Sequence, residues 1–393
     1  MAGAPVIGRQ EEAGGRPFRA TAPVSPAPAR AAPSAAAAPS APAALAAPTA
    51  PEFTTVFGRE LIGELPNFVH QPYLVVTMAD LWPRFEHLFD SHAAGVHCVT
   101  TLDLAELETQ AAELPDFASV IGLGGGQASD VAKFFAWSRG RPIFHVPTAM
   151  TTNAPFSHRS VLRHEGQAVA MGWAVPEAVY VDFDVIRGAP PLLNRSGIGD
   201  VLCHHTAHFD WKLAHDSGKE ERRWPYDQRL VDEARAVLDS VLADLDEIRA
   251  VSDRGIRTLM LAHRWGGAAF HNAGWNTRHL DGVDHCYLYA LEDLTGRHFI
   301  HGQAVGLGTY FGAVLQDNDP EMILSALNGV GVDIRPEAMG ISWDDAATAM
   351  RRLAWYVRHA DLWYTIADAR PVTEDVIEHV RDRVYATFGA WQT

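Results

Sequence analysis

The sequence has few cysteines, a deficit of basic residues and no long uninterrupted apolar run. Three cysteines in 393 residues form too sparse and odd a set for a disulfide framework, which favours a reducing, cytoplasmic location. No stretch approaches the roughly 18 apolar residues that a membrane-spanning helix needs. With 48 Asp and Glu against 32 Lys and Arg, the formal charge of -16 argues against nucleic acid or an anionic membrane as the main partner. A small anionic substrate remains compatible, because a few local cations suffice to hold it.

Composition divides the chain into three parts. Residues 1–51 are dominated by Ala and Pro, which predicts a disordered leader with too few large apolar side chains to bury. In residues 52–189, short apolar runs alternate with helical stretches such as Asp80–His92, which predicts an α/β domain built on a parallel sheet. In residues 190–393 apolar residues recur at helical spacing, which predicts an all-helical domain. The strands expected in the sheet are Tyr73–Met78, Val96–Thr101, Ala118–Leu123, Pro142–Val146 and Ala178–Val181.

A glycine-rich turn, Gly122–Asp130, follows the third of these strands and opens a helix. Glycines let the backbone approach a pyrophosphate closely, and a helix N-terminus offers free N–H groups and a positive dipole. Gln127 stands where the dinucleotide fingerprint would have its third glycine. The turn therefore favours nucleotide binding, with an ordinary tight turn as the alternative.

Three segments of the helical part concentrate residues that bind metals, and each offers one candidate. Asp200, His285 and His301 would supply the three Asp and His ligands that a catalytic divalent metal uses beside an open position. His204 and His208 form a rival pair, because residues four apart lie on one helix face. With 19 histidines in the chain, spacing alone leaves both alternatives open.

Read together, the glycine turn and the metal-ligand segments resemble the iron-containing alcohol dehydrogenase and dehydroquinate synthase-like superfamily. Within it the chain is most similar to the branch of sn-glycerol-1-phosphate dehydrogenases and glycerol dehydrogenases. The stretches that carry the resemblance are GGGQASDVAK (Gly124–Lys133), VPTAMTTNAPFS (Val146–Ser157), GIGDVLCHHTAHFDWKLA (Gly197–Ala214), RHLDGVDH (Arg278–His285) and HGQAVGLGT (His301–Thr309). The resemblance implies a dehydroquinate synthase-like fold, in which an α/β nucleotide-binding domain precedes an all-α catalytic domain.

The resemblance also implies cofactors and site residues. It assigns NAD or NADP and one divalent metal, normally zinc and in some members iron or nickel. Asp200, His285 and His301 would bind the metal, which selects them over the rival histidine pair. Asn153 and Arg278 complete the candidate catalytic set, with Arg278 either holding a substrate phosphate or pairing with Asp281 or Asp284. The residues implied to contact the cofactor are Gly124, Gly125, Gly126 and Asp130 at the pyrophosphate, and Thr148 and Thr151 at the nicotinamide.

Several positions depart from the family pattern. Asn153 replaces an Asp, Asp284 replaces a Glu and Gln303 replaces another Glu, while Asp281 stands where a small polar residue is usual. Lys133 either helps an anionic group or lies on a solvated helix face.

The function expected from these positions is metal-dependent, NAD(P)-linked interconversion of a small polyol, phosphorylated or free, and its ketone. The alternative is a lyase of the same fold, a sugar-phosphate cyclase of the dehydroquinate synthase type that uses NAD transiently. The resemblance disfavours it, because such cyclases carry Glu at the position of Asp200. The choice between NAD and NADP depends on a side chain near Thr101–Asp103, where an Asp would favour NAD. The oligomeric state stays open, a homo-oligomer included.

Overall fold

A computed structural model describes residues 53–165, 167–272 and 276–391 of the chain. The predicted leader, residues 1–51, lies outside the described residues.

A six-stranded, fully parallel sheet forms the first half, in the order β1-β8-β5-β4-β2-β3. Its central strands β2, β4 and β5 are completely buried and mostly apolar, as expected for a sheet that is covered on both faces. The strands are β1 Thr54–Gly58, β2 Tyr73–Thr77, β3 Ala93–Cys98, β4 Ser119–Gly124, β5 Ile143–Pro147 and β8 Pro176–Asp182. A separate antiparallel hairpin pairs β6 Ser160–His164 with β7 Gln167–Met171.

The chain reverses direction across the sheet between β2 and β4. From β2 it continues outward to β3, whereas from β4 it continues through β5 to β8 on the other side. In open α/β sheets, ligands bind at such a switch point, outside the carboxyl ends of the strands. The glycine turn that follows β4 lies at this point of the sheet.

Helices connect most of the strands, and they are the only regular elements among the described residues after β8. Those of the first half are α1 Leu61–Phe68, α2 Trp82–Phe85, α3 Leu104–Glu113 and α4 Gly126–Arg139. The following ones are α5 Phe183–Arg187, α6 Pro191–Ser196, α7 Gly199–Asp216, α8 Gln228–Ala243, α9 Leu245–Arg249, α10 Asp253–Asn272, α11 Val283–Thr295, α12 His301–Gln316, α13 Pro320–Val330, α14 Trp343–His359, α15 Ile366–Ala369 and α16 Glu374–Phe388. None of the described helices is long and apolar enough to cross a membrane.

One apolar core runs from the sheet into the helices. Met150, Phe156 and Val179 of the first half share it with Val201 and Val305 of the second. The order of elements is the one that the sequence predicts, a parallel sheet with helices followed by helices alone. A domain boundary between residues 189 and 190 remains a prediction.

Candidate active site

Three helix N-termini bring Asp200, His285 and His301 together. Asp200 lies in the first turn of α7, His285 in the first turn of α11, and His301 is the first residue of α12. The Nε2 atom of His301 is 3.1 Å from Asp200 Oδ1 and 3.2 Å from His285 Nε2. The third side of the triangle, His285 Nε2 to Asp200 Oδ1, is 3.6 Å.

This triangle fits a divalent metal. Donors at about 2.0–2.1 Å from a tetrahedral zinc lie about 3.3 Å from one another, close to the distances observed. Two imidazole nitrogens and one carboxylate oxygen form a donor set typical of catalytic zinc. His301 is 33% exposed, whereas Asp200 and His285 are 5% exposed, so the cluster is open on the side of His301. That opening leaves a position for substrate.

A second group of potential ligands shares His285 with the first. Cys203, Asp284 and His285 also lie within ligand distance of one another, and all three are buried. Burial raises the pKa of the Cys203 thiol, which disfavours the thiolate that binds metals. The first group therefore fits a catalytic metal better, because its donors are suitable and one side is open.

Asp284 orients the ring of His285. Its Oδ1 atom lies 2.7 Å from His285 Nδ1, and its Oδ2 accepts a 2.6 Å hydrogen bond from the Thr206 hydroxyl. A carboxylate at Nδ1 places the proton there and leaves Nε2 as the ligand atom. The aspartate that departs from the family's usual glutamate thus keeps contact with the histidine.

The electrostatic field of the cluster favours a cation. Burial alone would raise the pKa of Asp200, but His301 and His285 outweigh it and hold the pKa well below its usual value. Burial would lower the pKa of His285, but Asp281, Asp200 and Asp284 raise it well above the ordinary value. The carboxylates that attract a proton to His285 attract a divalent cation to the same place.

Close backbone contacts position the ligands. A Cβ atom on Gly199, beside Asp200, would lie 1.9 Å from the carbonyl oxygen of Gly302, which follows His301. One on Gly302 would lie 1.8 Å from the carbonyl oxygen of Ser196. One on Gly197 would lie 1.7 Å from the carbonyl oxygen of Met150. Only glycine permits these approaches, which join α7 and α12 to the loop after β5.

That loop, residues 148–153, connects the cluster to the glycine turn. At one end, the backbone N–H of Thr148 donates to the carbonyl oxygen of Gly124 at 3.1 Å. At the other end, the backbone N–H of Asn153 donates to Asp200 Oδ2 at 3.2 Å. Between them, Thr151 Oγ1 would lie 3.9 Å from a Cβ atom on Gly125. Thr148, Thr151 and Asn153 thus lie between the turn and the proposed metal ligands.

The glycine turn has the strand–turn–helix form that the sequence predicts. Gly124 ends β4, Gly125 is the N-cap of α4 and Gly126 begins that helix. No side chain caps the N-terminus of α4, so its first N–H groups are available to an anionic ligand.

Asp130 and Lys133 form a buried ion pair. Lys133 is 1% exposed, so it is neither on a solvated face nor free for an anionic group. Its ammonium group lies 2.9 Å from Asp130 Oδ1 and donates to the carbonyl oxygen of Ala154 and the hydroxyl of Ser157. Asp130 also accepts from the backbone N–H of Val161. A carboxylate engaged in this way ties α4 to the segment after the loop, and the pyrophosphate contact of Asp130 stays a prediction.

Replacing Lys133 with methionine tests this structural role. Removing one partner of a buried ion pair leaves the other charge uncompensated, so we expect the free energy of unfolding to fall by about 3–5 kcal/mol. Denaturant unfolding of Lys133→Met measures it, and Asp130→Leu in the same chain should restore part of the loss. A single variant as stable as the parent would exclude the role.

Arg278 is fully buried and bound by other parts of the chain. Its Nη2 donates to the carbonyl oxygens of Asp210 and Tyr364, and its Nε lies 3.3 Å from Glu221 Oε2. The expected pairing with Asp281 or Asp284 is replaced by this ion pair with Glu221. These contacts favour a structural role, and a phosphate contact stays a prediction that the geometry does not support.

Two further residues complete the surroundings. His263 of α10 lies 3.1 Å from the carbonyl oxygen of Met150 through Nε2, and its Nδ1 is 3.9 Å from Asp200 Oδ2. No motif singled out this histidine among the 19 in the chain, so sequence reasoning missed it. The side-chain amide of Gln303, which replaces a Glu of the family pattern, donates to the carbonyl oxygen of Asp333 and so makes a structural contact.

Comparisons with known proteins agree with this geometry. Residues 77–190 match the family model described as iron-containing alcohol dehydrogenase. Over 309 residues the chain is 31% identical to a glycerol-1-phosphate dehydrogenase [NAD(P)+] of Thermofilum pendens, covering 77% of this chain and 86% of that one. A protein of the same description from Aeropyrum pernix is 30% identical, over 71% and 77% of the two chains. A probable glycerol dehydrogenase from Sinorhizobium meliloti has the same fold, with a TM-score of 0.66 at 22% identity over 85% and 98%.

These relatives identify the chain as an oxidoreductase that depends on NAD(P) and a divalent metal. The chain belongs to the iron-containing alcohol dehydrogenase family. The lyase alternative receives no support from these relatives, which are dehydrogenases.

Proposed function

We propose that the chain interconverts a small polyol, free or as a phosphate ester, and its ketone, like the glycerol-1-phosphate dehydrogenases that it resembles. The observation that carries this proposal is the loop 148–153, which bonds to the glycine turn at one end and to Asp200 at the other. A nicotinamide held beside this loop would face a substrate at the cluster. Hydride transfer needs that proximity of cofactor and substrate.

Asp200, His285 and His301 would hold the divalent metal, for which their donor set favours zinc. When bound, such a metal supplies Lewis acidity, which lowers the pKa of an alcohol and polarises a carbonyl. The chain's own residues supply the rest. Asp284 Oδ1 accepts the Nδ1 proton of His285, and the backbone N–H of Asn153 donates to Asp200 Oδ2.

Gly124, Gly125 and Gly126, at the N-terminus of α4, would receive the cofactor's pyrophosphate. Thr148 and Thr151 would lie at its nicotinamide end, because they are placed between the turn and the cluster. Asp103 is the N-cap of α3 and accepts the backbone N–H of Glu106, and this contact leaves the choice between NAD and NADP open. The proposal therefore includes both cofactors.

A cytoplasmic location and a homo-oligomeric state are part of the proposal. All three cysteines are free, which suits a reducing compartment. Analytical ultracentrifugation of the purified protein tests the assembly.

A spectrophotometric assay of NADH and NADPH oxidation tests the reaction. The zinc-loaded protein is supplied with dihydroxyacetone or dihydroxyacetone phosphate, and a chelated sample is run in parallel. We expect oxidation with at least one ketone, loss of that activity on chelation, and recovery when zinc returns. Turnover that is insensitive to chelation, or no turnover of either ketone by the zinc-loaded protein, would contradict the proposal.

A further inference from the structure

The carboxylate of Asp281 is enclosed beside the cluster with little to bind it. It lies just before α11, its side chain is 18% exposed, and its Oδ1 is 3.4 Å from His285 Nδ1. Among the described residues, no closer polar partner contacts this carboxylate. Burying a charged group without a hydrogen-bond donor costs free energy, so a role in binding a ligand would explain why this carboxylate is there.

Other residues orient His285, accept the N–H groups at the start of α11 and pair with Arg278. Asp284 Oδ1 lies nearer to His285 Nδ1, at 2.7 Å, and also accepts the N–H of Gly282. Asp210 Oδ2 accepts the N–H of Val283, so the start of α11 is bonded without Asp281. Arg278 has Glu221 as its ion-pair partner. None of these structural contacts depends on Asp281.

Its position is suited to substrate contact. Asp281 is four residues before His285 and approaches the same ring. Its 18% exposure and the 33% of His301 exceed the 5% of Asp200 and His285, so these two residues border the open side of the cluster. A substrate that enters from this side meets the Asp281 carboxylate next to the reacting atoms.

An ionised carboxylate only accepts hydrogen bonds. It therefore binds a hydroxyl, which donates, and repels a phosphate ester, which carries the same charge. We propose that Asp281 is a substrate-binding residue that accepts a hydrogen bond from a free hydroxyl on the carbon adjacent to the reacting carbon. A phosphate, where present, is at the other end of the molecule.

This inference rests on the proposed function, and paired ketones separate the two. Within each pair, only the adjacent free hydroxyl differs: hydroxyacetone against acetone, and dihydroxyacetone phosphate against hydroxyacetone phosphate. For the parent protein and for Asp281→Asn and Asp281→Ala, kcat/KM is measured on whichever pair is reduced, together with bound zinc. We expect both substitutions to lower the preference for the hydroxylated ketone by about 10–100-fold, since alanine removes the acceptor and asparagine removes its charge.

Two control substitutions on the same helix sharpen the test. Asp293→Asn changes an exposed carboxylate 4.0 Å from Arg352, and it should leave the preference unchanged. Asp284→Asn should weaken zinc binding and lower kcat/KM equally for both ketones of a pair, because it acts through His285. Equal losses on both ketones in the Asp281 variants, or no loss, would overturn the inference. Failure of the parent protein to reduce dihydroxyacetone and all four of these ketones would instead contradict the proposed function.

Discussion

Replacing Asp200 or His285 with alanine is expected to remove bound metal and activity together. Each residue supplies one of three atoms that lie 3.1–3.6 Å apart, and two remaining donors do not hold a divalent ion firmly. Because Lewis acidity contributes several kcal/mol to such reactions, kcat/KM should fall by about a thousandfold or more. Zinc analysis and the NAD(P)H assay on the same protein samples measure both effects.

Two histidine variants serve as controls for this prediction. His298→Ala removes a side chain that is 57% exposed and lies three residues before His301, and it should retain zinc and turnover. His204→Gln tests the rival pair from the sequence and should also keep one zinc per chain. Full zinc and turnover in Asp200→Ala or His285→Ala would refute the assignment, and so would zinc loss confined to the His204 variant.

Replacing Gly199 or Gly302 with alanine is expected to lower both the stability of the protein and its affinity for zinc. The new Cβ atom would lie 1.9 Å from the Gly302 oxygen or 1.8 Å from the Ser196 oxygen, so the starts of α7 and α12 must separate. Backbone atoms cannot give way as a flexible side chain does, and we expect the free energy of unfolding to fall by at least about 3 kcal/mol. Zinc affinity should fall with it, because Asp200 and His301 adjoin these glycines.

Gly329 provides the matched control for the two glycine variants. It lies inside α13, and a Cβ atom placed there meets nothing within 4 Å. Gly329→Ala should therefore stabilise the protein by about 0.5–1 kcal/mol through helix propensity alone. Thermal unfolding with and without zinc compares the three variants. Unfolding of Gly199→Ala at the parent temperature would show that α7 and α12 are not held together as described.

The buried strands were predictable because each is a short apolar run between helical segments. Four central strands, β2, β4, β5 and β8, lie within two residues of the positions expected from the sequence. β1 was missed, because this half-exposed edge strand is short, lacks a buried apolar run and pairs with β8 more than 100 residues later. The predicted helix Asp80–His92 was wrong in extent. That segment contains α2, Trp82–Phe85, and a 3-10 turn, Glu86–Leu88.

The proposed ligands were predictable because motif order, added to residue type, chose three positions among many histidines. The partners of Asp130, Lys133 and Arg278 could not be predicted from the sequence. Whether such a charge meets solvent, a ligand or the protein depends on segments distant in sequence, such as the carbonyl oxygens of Ala154 and Tyr364. Contacts between glycines are equally hidden, since a glycine in a sequence does not show which backbone approaches it.

X-ray absorption at the zinc edge of the loaded protein tests the central claim most directly. Binding by Asp200, His285 and His301 predicts only nitrogen and oxygen donors at about 2.0–2.2 Å, with the scattering pattern of two imidazoles. Removing His301 should leave only two donors, so zinc should be lost from that variant, as predicted for Asp200→Ala and His285→Ala. A sulfur donor at about 2.3 Å would contradict the account, because it would place the metal with Cys203, Asp284 and His285 in the buried group instead.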